Sequence, residues 1–357
     1  AASIPLDALG TFKIDGRVLP VSNQPLTGQH TSELVRAIMD DRQAAEFEKT
    51  KECNFAINPT GIGRFRDSSF IQQGKVGIVF RTIADHIPTS DELNMPAIIN
   101  ELAMAKRGIV LVVGATGSGK STTLAAMVGY RNENSNGHII TIEDPIEYVH
   151  QHKNCIITQR EVGVDCDSWQ IALKNTLRQA PDVILIGEVR DRDGMDHAIA
   201  FAETGHLVMC TLHANSTNQA LDRIINFFPE ERRAQLLMDL SLNLRASISQ
   251  RLVPFKDRKG RIPAVEILLN SPLIADLIFK QEIHEIKEVM KRSREQGMQT
   301  FDQSLYDLHE TEQISYEDAL RNADSVNDIR LNIKLNSKLY GGVAGIHKGI
   351  EHMGLTG

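Results

Sequence analysis

The stretch that most constrains this chain is Gly114-Ala115-Thr116-Gly117-Ser118-Gly119-Lys120-Ser121. It stands between the apolar run Ile109-Val110-Leu111-Val112-Val113 and a helical pattern that begins Thr122-Thr123-Leu124. A strand, a glycine loop and a helix in that order curl successive backbone N–H groups around one point, and the helix N-terminus adds partial positive charge there. Phosphate oxygens bind at such a point. Lys120 is placed to reach the outer phosphates as a point charge, and the Ser121 hydroxyl to complete the shell of a Mg²⁺ that bridges them. Gly114, Ala115, Thr116, Gly117, Ser118, Gly119, Lys120, Ser121 and Thr122 are therefore expected to hold a nucleotide.

The rest of the chain from Pro96 suits a sheet behind that loop. Helical patterns alternate with short, wholly apolar runs at Ile109 to Val113, Ile139 to Ile142, Val183 to Ile186 and Leu207 to Cys210. Strands without a polar face are buried on both sides, so the fold class is α/β: a parallel sheet between helices, with ligands at the carboxyl ends of the strands. After Thr217 two long helical patterns run to about Gln250, Arg261 to Leu268 returns as a strand, and Ser271 to Leu335 is helical. Ile283, Ile286, Val289 and Met290 form one stripe, read as packing surface.

The residues before this core read differently. Ala1 to Leu9 is assigned no element. Phe12 to Arg17 alternates like a strand and ends in a turn, Glu33 to Lys49 holds one or two helices with a break near Asp40-Asp41, and strand patterns cover Cys53 to Ile57, Gly63 to Ile71 and Val76 to Ile83. A smaller α+β domain results, followed by a polar, Pro-containing linker from Ala84 to Ser90. The expected divisions are 1–84, a linker at 85–95, the nucleotide core at 96–270, C-terminal helices at 271–337 and a flexible tail at 338–357 with six Gly in twenty residues.

Composition enters by exclusion. A net charge of −7 argues against bulk attraction to nucleic acid or an anionic membrane, and no apolar run approaches the about 20 residues of a membrane span. Cys53, Cys155, Cys166 and Cys210 are scattered, without metal-ligand spacing, and suit reduced thiols in the cytoplasm.

Acidic residues follow two of the apolar runs. Ile139-Ile140-Thr141-Ile142-Glu143-Asp144-Pro145 sets two carboxylates just past a strand, one able to orient or deprotonate an attacking water and the other to hold Mg²⁺ through water. Asp182 to Glu188 has the strand of a Walker B site, but Gly187 stands where the acid usually does and Glu188 comes one residue later. Glu188 remains able to reach the metal. His206 and His213 bracket the next run, and His213, at its far end, is a candidate sensor of the γ-phosphate. Arg64, Arg66 and Arg81 in the first domain are either solvated edge charges or arginine fingers acting across a domain or subunit boundary.

Gly-Ala-Thr-Gly-Ser-Gly-Lys-Ser-Thr, Thr-Ile-Glu-Asp-Pro-Ile-Glu-Tyr, Ile-Gly-Glu-Val-Arg-Asp and Glu-Thr-Gly-His-Leu followed by Thr-Leu-His-Ala, in this order, resemble the VirB11-like type II/IV secretion ATPases. The likeness spans Phe12 to Leu335 and is nearest to the pilus retraction branch of PilT and PilU. It implies a homohexameric ring of subunits with a PAS-like N-terminal domain and a RecA-like ATPase domain, using ATP and Mg²⁺ to draw pilin back in twitching motility and DNA uptake. By the same likeness Glu143 is the general base and Glu188 the Walker B acid, with Ser121 and Asp144 also at the metal. His213 belongs to the His box, His206 accompanies it as a nucleotide-binding residue, and Arg66 and Arg81 match the family's N-domain arginines. The implied partners are a PilT-type retraction ATPase and the pilus platform protein in the inner membrane, with no direct nucleic acid, and the implied location is the cytoplasmic face of the pilus base.

Three departures accompany the resemblance. The family's usual N-terminal helix has no counterpart ahead of Phe12, and the chain opens Ala1-Ala2 without Met, so the first domain is expected to lack its start. Asp67-Ser68-Ser69 follows Arg66 where relatives carry Val-Asn and a small residue. Leu273-Ile274-Ala275-Asp276-Leu277-Ile278 lacks the arginine of the PilT motif, which points toward the PilU side and an accessory motor dependent on PilT. The alternatives are a ring-forming nucleotide-binding adaptor with little hydrolysis, favoured by Gly187 and the 67–69 stretch, or a secretion or translocation ATPase of the same superfamily.

Overall fold

The computed structural model describes residues 2–4, 11–14, 17–20, 23–83 and 86–339, in two compact units. The first comprises Ala1–His86 with Glu147–Val149, and the second the remainder. Ala84 and Asp85 of the expected linker, and the tail beyond Leu339, lie outside the described residues.

In the first unit β1 (Ala2–Ile4), β2 (Thr11–Ile14), β3 (Arg17–Pro20), β4 (Glu52–Ile57), β5 (Arg64–Gln72) and β6 (Lys75–Ile83) form one antiparallel sheet in the order β3-β2-β1-β6-β5-β4. Helices α1 (Gly28–Ile38) and α2 (Asp41–Thr50) accompany it, separated where the break at Asp40 was expected: the Asp40 carboxylate accepts from Gln43 N at 2.8 Å and caps the second helix. Strand β1 corrects the reading of Ala1 to Leu9 as lacking an element; three residues are too few to show a period. The stretch expected as one strand over Phe12 to Arg17 is a hairpin of β2 and β3.

The second unit is the expected α/β core. Its strands are β7 (Gly108–Val113), β8 (Gly137–Glu143), β9 (Cys155–Glu161), β10 (Val183–Ile186), β11 (Leu207–Leu212), β12 (Leu244–Pro254) and β13 (Arg261–Leu269). They lie in the order β13-β12-β7-β11-β10-β8-β9, parallel throughout except for the β12/β13 pair. The helices are α3 (Ile98–Ala103), α4 (Lys120–Asn134), α5 (Trp169–Thr176), α6 (Arg192–Glu203), α7 (Thr217–Phe227), α8 (Glu230–Asn243), α9 (Pro272–Phe279), α10 (Ile286–Arg292), α11 (Phe301–Glu310), α12 (Tyr316–Asn322) and α13 (Val326–Asn336).

The absence of a polar face on the central strands has its reason in packing on both sides. Ile109, Leu111, Val113, Ile184, Ile186, Val208 and Cys210 join one core with Met195, Ala198, Leu221 and Ile224 of α6 and α7. Val110, Val112, Val183, Leu185, Leu207 and Met209 face the other way into a core with Ile99, Leu124, Met127 and Val128 of α3 and α4. Alternate residues of one strand thus serve opposite layers. Ile283, Ile286 and Met290 are buried in the first of these cores, as their stripe suggested. Helices α11 to α13 add a third cluster, with Phe301, Leu305 and Ile329 against Val253, Ile262 and Ala264 of β12 and β13.

In the second unit two strands escaped the sequence reading. The helical pattern expected to reach Gln250 stops at Asn243, because Leu244 to Pro254 inserts beside β7. Its buried Ser247 and Ser249 are satisfied by the Thr217 hydroxyl, at 3.2 and 3.1 Å, a partner that only tertiary structure supplies. β9 carries Thr158, Gln159 and Arg160 and pairs on one side only, with β8, so its face is not wholly apolar.

Candidate active site

β7 ends at Val113 and delivers the chain into the glycine loop at the carboxyl edge of the sheet. Ser118 N donates to Ala115 O at 3.2 Å, closing the loop, and Gly119 at φ +92° turns the chain into α4. That helix starts without a side-chain cap, whereas Ser168, Asp191 and Ser216 cap α5, α6 and α7. Inside the curl Lys120 Nζ donates to Gly114 O at 2.9 Å and Ala115 O at 3.0 Å. Burial pulls the Lys120 amine below its usual pKa, with the Glu188 charge opposing. Gln250 of β12 clamps the loop from behind, its Nε2 donating to Ser118 O at 2.6 Å and its Oε1 accepting from Thr123 Oγ1 at 2.8 Å. A Cβ at Gly114 would come within 2.7 Å of Gln250 O, so only glycine allows this approach. The buried Ser118 Oγ has no hydrogen-bond partner among the described residues. An uncapped helix, a buried lysine and an unpartnered hydroxyl around one curl fit the phosphates of a nucleotide.

The acids converge on the same edge. Glu143 ends β8, where Thr141 Oγ1 donates to its Oε1 at 2.7 Å and Gln159 Nε2 to the same oxygen at 3.2 Å, fixing the carboxylate from two sides. Glu188 lies two residues past β10. Its Oε1 is 3.1 Å from His213 Nε2, and its Oε2 accepts from Arg190 Nε at 2.7 Å. Arg190 also reaches Asp144 Oδ2 at 3.5 Å. His213 Nδ1 is 3.5 Å from Lys120 Nζ, so an imidazole protonated on Nε2 accounts for both of its contacts. Burial first, then the Lys120 charge, holds His213 below the usual histidine range, against the pull of Glu188, which keeps the ring neutral near pH 7. Lys120, His213, Glu188, Arg190 and Asp144 thus form one continuous series of contacts.

Gly187 acquires a reason here. Its N–H donates to Ile142 O at 2.7 Å, and a Cβ would meet that oxygen at 3.1 Å and Glu143 Cα at 3.2 Å. The end of β10 lies close enough to β8 that a side chain at this position would push on Ile142 and Glu143, and the acid follows one residue later. Thr211 Oγ1 donates to Gly187 O at 2.5 Å from the other side.

The structure does not bring His206 to the loop. It precedes β11 at the amino edge of the sheet, where its Nδ1 lies 3.1 Å from both Phe201 O and Thr204 Oγ1. Six strand residues separate the edges, about 20 Å at the usual rise. Within one chain His206, expected at the nucleotide, therefore lies away from the glycine loop. Arg66 and Arg81 belong to the first unit and sit directly opposite each other across β5 and β6. Asp67, beside Arg66, is completely buried; burial pushes its carboxyl up to about 7, Ser69 Oγ donates to Oδ1 at 3.0 Å, and Oδ2 has no partner among the described residues. Sequence reasoning missed four residues of the site. Arg190 lay within a quoted motif but had no role, Thr141 and Gln159 act only through Glu143, and Gln250 stood in a stretch taken as helical.

Residues 88–307 match the Type II/IV secretion system protein family. The chain is 62% identical over 328 residues to the type IV pilus ATPase PilU of Pseudomonas aeruginosa, covering 92% of this chain and 86% of that protein. It is 41% identical over 312 residues to the type IV pilus retraction ATPase PilT of the same organism, covering 87% and 90%. A crystal structure of the pilus retraction motor PilT with bound ADP superposes with a TM-score of 0.87 at 36% identity, over 92% of this chain and 94% of that one. The glycine loop, the acids at the strand ends and this breadth of likeness agree: the chain belongs to the Type II/IV secretion system protein family.

Proposed function

We propose that this chain is an ATP hydrolase that drives type IV pilus retraction, in a homohexameric ring and as an accessory motor that works with a PilT-type partner. The observation that carries the reading is the series of contacts from Lys120 through His213 to Glu188 at the mouth of the loop. It links the phosphate-binding lysine to the acid of the next motif, as coupling of nucleotide state to a moving domain requires. PilU and PilT among the relatives, named as pilus ATPases, supply the biological setting.

The parts divide as follows. The loop from Gly114 to Thr122 and the Lys120 amine hold the phosphates. Glu143, oriented by Thr141 and Gln159, takes the proton of the attacking water. Ser121 and Glu188, with Asp144 through water, hold Mg²⁺, which supplies charge neutralisation on the phosphate oxygens when bound. Neutral His213 reports the outer phosphate to Glu188. Arg66 and Arg81 supply positive charge across a domain or subunit boundary. The ring acts at the inner-membrane pilus base beside the platform protein; no helix among the described residues is long and apolar enough to cross a membrane.

The test is steady-state phosphate release with Mg·ATP, for the protein alone and mixed with a PilT-type ATPase, using Glu188→Ala as the blank. Turnover that appears or rises with the partner supports the accessory motor. Strong turnover alone, unmoved by the partner, makes it an autonomous motor, and none in either case overturns hydrolysis in favour of a nucleotide-binding adaptor.

A further inference from the structure

Glu188 serves two partners at once, and one of them is a cation of the chain itself. Its Oε2 accepts from Arg190 Nε at 2.7 Å, and the same guanidinium reaches Asp144 Oδ2 at 3.5 Å. Arg190 therefore ties together the carboxylates that follow β8 and β10, two of the groups on this edge suited to a divalent cation. A carboxylate oxygen engaged in a charge-assisted bond to a guanidinium has fewer lone pairs to offer a metal, so the two cations draw on one ligand.

Other features mark the arginine as exchangeable. Its side chain is 52% exposed, so the pair is screened by water and weaker than its short distance suggests. Beside it lies a cavity of about 60 Å³ lined by Trp169, Asp191, Asp193 and His197. Asp193, and the oxygen of Asp191 that does not cap α6, give the guanidinium a second place to go. The backbone next to it is held, since Val189 N donates to Thr211 O at 2.9 Å, so the side chain can turn without moving the strand end.

We propose that Arg190 is a positioning residue that competes with the divalent cation for Glu188 and so sets the cation concentration at which the nucleotide site assembles. The proposal rests on the nucleotide reading given above. Cation binding frees the guanidinium toward Asp191 and Asp193, which makes Arg190 a mark of the loaded state just outside the phosphate loop.

The test titrates Mg²⁺ against protein with a fixed concentration of a fluorescent ADP, a readout independent of turnover. Arg190→Gln should lower the Mg²⁺ midpoint about three- to tenfold while leaving affinity for the same ADP in EDTA within about twofold. Arg190→Lys, which keeps the charge but loses the fork, should fall between that variant and the unsubstituted protein. In a Glu188→Gln background the Arg190→Gln shift should shrink below about twofold. An unchanged or raised midpoint in either Arg190 variant, or an equal shift in the Glu188→Gln background, overturns the proposal. Failure of the unsubstituted protein to bind the ADP at all overturns the nucleotide reading itself, and the proposal with it.

Discussion

The two edges of the seven-stranded sheet carry the same kinds of residue and use them differently. At the amino edge His138 donates N–H to Asp182 Oδ2 at 2.8 Å, and its ring nitrogens lie 3.0 Å from Gln179 O and 2.9 Å from Thr158 Oγ1. His206 closes in the same way on Phe201 and Thr204. Both histidines there are held by framework groups. At the carboxyl edge Lys120, beyond its two loop carbonyls, and His213, Glu188, Arg190 and Asp144 meet one another in series, at distances from 2.7 to 3.5 Å. Such groups exchange partners when a ligand brings new charge. The difference follows from the parallel strands: after β7, β9, β10 and β11 the chain leaves the sheet at one edge and starts a helix, so helix N-termini gather there and favour anions, while helix C-termini return to the other.

Four substitutions test whether the edges differ in this sense. The largest effect is expected from Lys120→Ala, which should weaken binding of a fluorescent ATP about a hundredfold or more by removing the buried charge. Nearly normal binding would take the phosphate site away from this edge. Glu188→Gln should keep nucleotide affinity within about threefold and cut phosphate release about a hundredfold, measured side by side in equilibrium and steady-state assays. If release persists, Glu188 is only a partner of His213 and Arg190.

Smaller effects, and of another kind, belong to the amino edge. His138→Ala should cost about 1–2 kcal/mol in denaturant unfolding, through the unsatisfied partners it leaves, with phosphate release unchanged within about twofold. His206→Ala should cost less, about 0.5–1 kcal/mol, again with hydrolysis intact. A tenfold fall in phosphate release with an unaltered unfolding midpoint would place His206 in a site after all and erase the distinction between the edges.

Much of this arrangement was legible before the structure. The four apolar runs announced strands buried on both faces, and Val110 against Val112 on one layer, Ile109 against Leu111 on the other, is the packing they implied. The loop announced its own conformation because its determinants are contiguous. Gln250 was hidden because Leu244 to Pro254 has the composition of a helix end, and its strand geometry depends on Thr217 meeting Ser247 and Ser249. The Asp67 position was seen as a departure from the family pattern, but that its carboxyl is completely enclosed with one oxygen unpartnered could not be read from alternation in β5.

By itself the sequence determined the strand, glycine loop and helix, the α/β class and the identity of the acids beyond the strands, since each is encoded in a few consecutive residues whose backbone preferences and polarity act locally. Only tertiary structure decided which of these meet. Lys120 and His213 are 93 positions apart and come within 3.5 Å, because β7 and β11 are parallel neighbours in register. His206 and His213 bracket one strand and stand at opposite edges of the molecule's main sheet, because a strand advances about 3.3 Å with every residue and cannot turn back.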